Sequence, residues 1–404
     1  MFELIKLFKN FSLEVKLFIL FNVLYFLEFT IEKEFQMIII FSLLLIFYFL
    51  RNYQYVYKFE KYYLLYFIYL LILLFKGLNN ENFISYILYD IICFSTFLMS
   101  FIAFRFKPSY SNTSFFFNVL PKVAFVINIL SLTFLLIFIL LNGFTMASVE
   151  NGRGLDDLTT KLMSPKYFLS SSLFLYPLKT YINEKKKRIV FDVAIISYIF
   201  FSLAMASRST TIIGIIVLIA TNLNLKQIKI NFSLFFNKRF QFFVFIGIFS
   251  AIILYQIPKI ASAADFLVYR FTEEENLGES RTEEALEIFK ALSTSELFFG
   301  RGLGAANTYW IFDDVPNGVN SVHYGWMFLI LKGGIFFLIF IYGKIILKTI
   351  FFLRNKKLVP YGITLIAFLI LEYSHTSFNS FYNLSFMFLA LSAFTINTNK
   401  KHVN

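Results

Sequence analysis

The run IVFDVAIISYIFFSLAMASRSTTIIGIIVLIATNLNL, residues 189–225, decides the fold of this chain. As one straight helix it would extend about 55 Å at 1.5 Å per residue, whereas the hydrocarbon core of a bilayer is only about 30 Å thick. Its one polar interruption is Ser207-Arg208-Ser209-Thr210-Thr211. The run therefore reads as two membrane helices, 189–206 and 210–225, meeting in a tight turn.

Outward from this pair, apolar runs of spanning length recur at 13–31, 35–50, 62–78, 83–104, 116–141, 166–182, 240–260, 323–347, 358–373 and 376–396. The composition agrees. Of 404 residues, 58% are apolar and 15% charged, 58 are Phe and 24 Tyr, and the mean hydropathy is +0.69. A globular chain carries roughly 45–50% apolar and about 25% charged residues. Twelve helices of ~20 residues would use ~240 positions, close to the number of apolar residues present. The expected fold is all-α: a polytopic integral membrane bundle of about 12 helices forming a single domain over residues 1–404. This apolar composition, with 16 Gly and 7 Pro, excludes the disordered and collagen-like classes, and the single Cys93 excludes a disulfide-stapled one.

The net charge of +12 bears on topology rather than on nucleic acid. The cations sit in small groups between apolar runs, without the interleaved basic and aromatic block of a nucleic-acid surface. Twelve spans put both termini on one side. Loops on that side hold 25 of the 37 Lys and Arg, among them Lys185-Lys186-Lys187-Arg188 and Lys356-Lys357. Lys and Arg flanking helices stay cytoplasmic, so both termini are expected inside. Residues 13–31 read as a retained first helix, because no small-residue cleavage site follows them.

Chemistry is then expected at the opposite, outer face. Two outer loops are long: 142–165, and the larger 261–322, between the ninth and tenth spans. Within the larger loop, Ser280-Arg281-Thr282-Glu283 has the Ser-x-x-Glu spacing of a capping box. The helix it would start places Ala285, Ile288, Phe289 and Leu292 on an apolar face, with Glu283, Glu284, Glu287 and Lys290 on a polar one. Arg281 at such an N-terminus favours an anion, or else pairs with Glu279 or Glu284. Next comes Phe299-Gly300-Arg301-Gly302-Leu303-Gly304. With no preceding strand and no third spaced glycine it is no dinucleotide fingerprint; it reads as a flexible turn, or as backbone and Arg301 lining an anion site.

His323 opens the tenth span and His375 falls between the last two, both at outer helix ends, while His402 lies in the tail. Each outer histidine is either a polar cap or a proton-exchanging group. Glu372 and His375 can share a helical face, but two ligands do not make a metal site. Asp90 lies about two turns inside the fourth span, where a charge costs roughly 2.5–3.5 kcal/mol on insertion scales. It should face the bundle and find a partner. Asp192, near an inner helix end, can reach towards Arg188.

An Arg in a Ser-Arg-Ser turn between two helices, a long outer loop with an Arg-led helix, Gly-x-Gly, and a His opening a helix follow one another in this chain. His323-Tyr324, nine residues, then Gly334-Ile335 is similar to the histidine motif of the ligases. Over about residues 195–345 the chain resembles the O-antigen polymerase (Wzy-type) and O-antigen ligase superfamily of membrane glycosyltransferases. The resemblance implies a transferase acting at the periplasmic face of the inner membrane on undecaprenyl-diphosphate-linked oligosaccharides. The Phe-, Ile-, Lys- and Asn-heavy composition, common among strain-variable polysaccharide loci, points to a polymerase, with donor and acceptor both lipid-linked. Arg208 and Arg281 would hold the diphosphate, with Arg301 a third cation. His323 would orient or deprotonate the acceptor hydroxyl, and Asp90 and His375 would be accessory substrate-binding groups. Arg stays charged and forks onto phosphate oxygens, so neither metal nor cofactor is expected. The lipid bilayer and a chain-length regulator protein are the other expected partners. A ligase transferring the glycan to the lipid A core and a lipid-linked oligosaccharide flippase are the competing readings.

Overall fold

The computed structural model describes residues 61–102, 115–142, 165–204, 208–222, 275–309, 318–320 and 322–374, with Met387, Ala390, Leu391 and Ala393 beyond them. The expected spans at 13–31, 35–50 and 240–260, most of 376–396, both termini, Ser207, His375 and His402 lie outside the described residues. What is described is helical. Its helices are α1 (Lys61–Asn79), α2 (Ile84–Ile102), α3 (Leu120–Asn142, after a π-helical turn Phe115–Val119), α4 (Pro165–Leu175) and α5 (Lys185–Ala204). They continue with α6 (Arg208–Asn222), α7 (Glu275–Ala291), α8 (Thr294–Phe299), α9 (Gly325–Arg354) and α10 (Val359–Ser374). Among the described residues there is no strand, only one isolated bridge between Asn307 and Val319.

Among the described residues, two helices are long and apolar enough by length and composition to cross a membrane, Phe116–Ile137 and Gly325–Arg354; Leu64–Asn79, Thr210–Asn222 and Val359–Glu372 are shorter apolar helices. The faces of α5 show what surrounds such helices. Phe191, Ala194, Ile195 and Tyr198 are buried, while Ile189, Val193, Ile196 and Phe200 point outward, each 45–56% exposed. An amphipathic helix of a soluble protein puts polar groups on that second stripe. A helix that is apolar on both faces suits lipid.

Packing follows the aromatic content. Tyr62, Tyr66 and Tyr69 of α1 stack along Phe337 and Phe340 of α9, with the closest centroids 4.3 Å apart. The Tyr62 hydroxyl donates to the Phe340 carbonyl at 2.8 Å. Between α3 and α4 the buried contact is polar: Ser172 donates to Asn128 at 2.8 Å, beside Ser131 and Ser171. Small polar side chains of this kind hold helices together where no water competes. As the turn at Ser207–Thr211 implied, α5 and α6 are neighbours. Gly214 presses so closely on Ile199 and Tyr198 that a side chain there would clash.

One end of the bundle is basic. Lys179, Lys185, Lys186, Lys187 and Arg188 gather there with Arg354, Lys356 and Lys357, and Tyr181 donates to the Lys357 carbonyl. Asp192 lies at this end too, but its partner is Lys179 at 2.5 Å, with Tyr176 donating at 2.7 Å. Arg188 instead donates to the carbonyl of Ile182. The helical path from Lys179 to Asp192 is interrupted at Ile182–Glu184, which is why spacing along one helix pointed to the wrong cation.

The helix expected over 323–347 does not run straight. Gly334 has φ 76° and ψ −178°, and the helical geometry breaks there. A straight helix would separate Gly325 from Tyr342 by about 25 Å. Yet the Glu372 carboxylate lies against Gly325, where any Cβ would collide with it, and within 3.3 Å of the Tyr342 hydroxyl. The short arm 325–333 is therefore folded back beside the long arm. Phe94 of α2 touches rings from both arms, Phe328 and Phe337. Irregular backbone inside an apolar bundle is tolerated where protein satisfies its polar groups. Here the Leu331 carbonyl accepts from the Arg301 N–H at 2.8 Å, Lys332 from Gly302 at 2.9 Å, and Gly333 from the Tyr69 hydroxyl at 2.8 Å.

Candidate functional site

The site lies at the end of the bundle away from the basic one, around the break in α9. Its first component is a glycine loop. Four consecutive N–H groups, 301 to 304, donate to four acceptors: Leu331 O, Lys332 O, Leu73 O and Asp90 Oδ2, the last at 2.6 Å. The carbonyls of Arg301 and Leu303 accept from the Asn80 and Asn82 amides in the α1–α2 turn. Gly300, Gly302 and Gly304 all have positive φ, and a side chain at Gly302 would strike the backbone of Gly77. The segment is thus neither a flexible turn nor an anion cradle. Its N–H groups are already committed to protein acceptors, so none points to a ligand.

Arg301 follows the same logic. Its Nε donates to Glu296 at 3.1 Å and its Nη2 to the Ala291 carbonyl, tying α8 to the end of α7. Burial acts to raise the Glu296 carboxyl. The N–H and hydroxyl of Ser293, together with the Arg301 guanidinium, more than reverse this and hold it below the ordinary range. Ser293 and Glu296 form the capping box of α8, with the Ser293 N–H donating to Glu296 at 2.8 Å.

The box expected at Ser280–Glu283 is absent, because α7 runs from Glu275 to Ala291 and Ser280 lies inside it. Arg281 is therefore part-way along a helix, and the dipole argument for an anion there falls. The apolar stripe is corrected as well. Ala285, Ile288 and Leu292 are buried as expected, but Phe289 is 48% exposed and Glu284 is wholly buried. Periodicity placed the stripe within one residue of its true centre. What turned Glu284 inward was its partner.

That partner is His323. The Glu284 Oε2 atom accepts from the His323 backbone N–H at 3.1 Å and contacts its ring Nδ1 at 2.8 Å. The Asn307 amide donates to the other carboxylate oxygen. The imidazole side chain is 42% exposed and Glu284 not at all. A carboxylate only accepts, so with Glu284 as its partner Nδ1 is the donor of this contact, and Nε2 is the ring nitrogen that can take up a proton. A buried carboxylate, an oriented imidazole and an accessible outer side are the parts of a general base. Arg281, partly exposed, sits one turn from Glu284 on the same face of α7.

Asp90 finds the partner that its position demanded. Both it and Lys332 are fully buried, 2.9 Å apart. Asn320 donates to Asp90 at 3.2 Å and accepts from Lys332, which also donates to the Ala305 carbonyl at 2.7 Å. Lys332 escaped sequence reasoning although a lysine inside an apolar run is itself a signal of a pairing partner. Glu284 carried no comparable signal.

Arg208 opens α6, whose far end, Asn222, bonds Tyr176 and Lys179 at the basic end. About 20 Å of helix therefore carries the backbone of Arg208 towards the His323 end. The structure thus brings Glu284, His323 and Asn307 into contact, with Arg281 adjacent, and joins Asp90 to Lys332. It assigns Arg301 to a structural tie. His375, expected beside Glu372, lies outside the described residues. Among the described residues no three His, Cys, Asp or Glu side chains gather as a metal site would require. Compared with known protein families, curated proteins and solved structures, the chain shows no match.

Proposed function

We propose that this protein is a multi-pass membrane glycosyltransferase that joins oligosaccharide repeat units carried on undecaprenyl diphosphate, working at the outer face of the bacterial inner membrane. The observation that carries the proposal is the pairing of buried Glu284 with part-exposed His323. In the reaction, His323 Nε2 takes the proton of the acceptor sugar hydroxyl. The resulting oxygen attacks the anomeric carbon of the donor from the face opposite the diphosphate. The bond from that carbon to the phosphate oxygen breaks, the linkage inverts, and undecaprenyl diphosphate leaves. The imidazolium formed is stabilised by Glu284. Charge developing on the leaving diphosphate falls to Arg281 and Arg208, whose guanidinium groups need no reorganisation to meet it.

Twelve spans with both termini in the cytoplasm are part of the same proposal. The gathering of Lys and Arg at one end of the bundle supports this orientation, because it leaves the His323 end facing the periplasm. The test is a gene deletion complemented with wild type or with His323→Ala, read on a lipopolysaccharide gel. Loss of polymerisation leaves one repeat unit on the core. Polymer held on its carrier, with none on the core, would mean a ligase instead.

One observation favours a second reading, transport of the lipid-linked oligosaccharide. The break in α9 beside a buried ion pair resembles the interrupted helices of transporters. Repeat units trapped on the cytoplasmic leaflet in the deletion strain would support that reading over glycosyl transfer.

A further inference from the structure

We infer that the buried Asp90–Lys332 pair is a positioning device for His323, and that neither member touches substrate. This rests on the glycosyl-transfer reading above and assigns Asp90 a role other than substrate binding. Three observations carry it.

The first is saturation. An ammonium group has three protons to donate, and Lys332 has three acceptors within reach: Asp90 Oδ2, Ala305 O and Asn320 Oδ1. Asp90 in turn accepts from Lys332, from the Gly304 N–H and from the Asn320 amide. Lys332 has no proton left over for a phosphate, and both side chains are fully buried, so neither presents surface to a sugar hydroxyl.

The second is what the pair holds. Its hydrogen bonds go to the two strands of chain that reach His323. Gly304 and Ala305 belong to the glycine loop, and Asn320 lies three residues before the histidine. These two strands are tied by paired backbone bonds between Asn307 and Val319, at 2.8 and 3.1 Å. Asn307 then donates to Glu284, which holds the imidazole. A continuous series of bonds thus runs from the ion pair to the ring.

The third is direction. Apolar residues would fill the same volume, but they would set neither the register of the loop nor the rotation of Asn320. An ion pair with directional hydrogen bonds does both. Coupling between two places needs such a physical chain.

The experiment measures turnover of lipid-linked repeat units by purified protein, alongside labelling of His323 by diethyl pyrocarbonate, read on its own peptide by mass spectrometry. Two variants are compared with wild type. Asp90→Leu with Lys332→Met removes both charges at once, so that no lone charge is left buried. Asn320→Ala leaves the pair intact and cuts its link to the segment that leads into His323. For the double variant the expected result is a fall in kcat of about 10²-fold, the loss associated with a group displaced by ~1 Å, with KM for the donor within about 3-fold. For Asn320→Ala the expected fall is about 10-fold. The rate of His323 labelling should rise several-fold in both. A raised KM at unchanged kcat would overturn the proposal by placing the pair against substrate, and so would unchanged labelling. If wild-type protein shows no transfer at all, the functional reading fails, and the labelling still decides whether the pair positions the ring.

Discussion

A carboxylate with no exposed surface that accepts both the backbone N–H and the Nδ1–H of one histidine leaves that ring a single neutral tautomer. Glu284→Gln keeps the shape and removes the charge that stabilises the imidazolium, so turnover should fall about 10²-fold, while the protein still accumulates in the membrane. Purified protein with lipid-linked substrate checks this, and near-normal rates would remove Glu284 from the mechanism. The arginines should separate in the same assay. Arg281→Lys and Arg208→Lys are expected to cripple polymerisation, because an ammonium lacks the planar fork that meets a diphosphate. Arg301→Lys should act on stability instead, costing about 1–3 kcal/mol through its lost bonds to Glu296 and Ala291, seen as a lower melting temperature at near-normal kcat. Glu296 adds a pH dependence. Its carboxyl sits below the ordinary value in the fold, so its stabilising contribution is complete above the unfolded value and is lost as pH falls through the folded one. The capping box of α8 should therefore loosen only on the acid side of the ordinary glutamate range.

Among elements, α9 is the one on which the site depends. Its break at Gly334 frees three carbonyls for Arg301, Gly302 and Tyr69, and turns the short arm so that His323 meets α7. Gly334 has φ 76°, and any side chain there would strike the backbone at Phe298. Gly334→Ala should accordingly destabilise by about 1–3 kcal/mol and also abolish turnover. Gly343, in the long arm of the same helix, has open space around it. Gly343→Ala should be neutral, or stabilise by up to about 1 kcal/mol. Melting temperatures of the two variants in detergent make the comparison, and equal effects would mean that the break carries no structural weight.

At the scale of the molecule, the described helices include faces that are apolar and exposed, and cations gather at one end of them, an arrangement that suits lipid. Topology is open to direct measurement. Cys93 is buried, so single cysteines introduced at Asn355 and at Asn80 can be labelled with little background. Membrane-impermeant reagent should reach position 80 from the periplasm and position 355 only from the cytoplasm. The reverse pattern would put His323 on the wrong side for an extracytoplasmic transferase. The chemistry proposed draws on guanidinium groups and one imidazole, so turnover should survive a chelator, and strict metal dependence would displace the arginine account.

Local order was legible in the sequence because hydrophobic periodicity is a property of neighbouring residues. The all-α class, the positions of α1 to α3, α5, α6 and α10 to within a few residues, the pairing of α5 with α6, and the need of Asp90 for a partner all follow from consecutive side chains and the cost of burying a charge. The span expected at 166–182 is α-helical only to Leu175 and continues as a 3₁₀ turn, Tyr176–Tyr181. Tertiary structure alone chose the partners. The rotation of α7 is set by what packs on it, which turned Glu284 in and Phe289 out. The glycine loop closed on Leu331 and Lys332 only because Gly334 interrupts α9, and φ at a glycine is not written in its neighbours. Lys332 met Asp90, and Lys179 met Asp192, through chain reversals that no spacing along one helix records. Burial demands that a charge be paired; only the folded arrangement of distant segments decides with which.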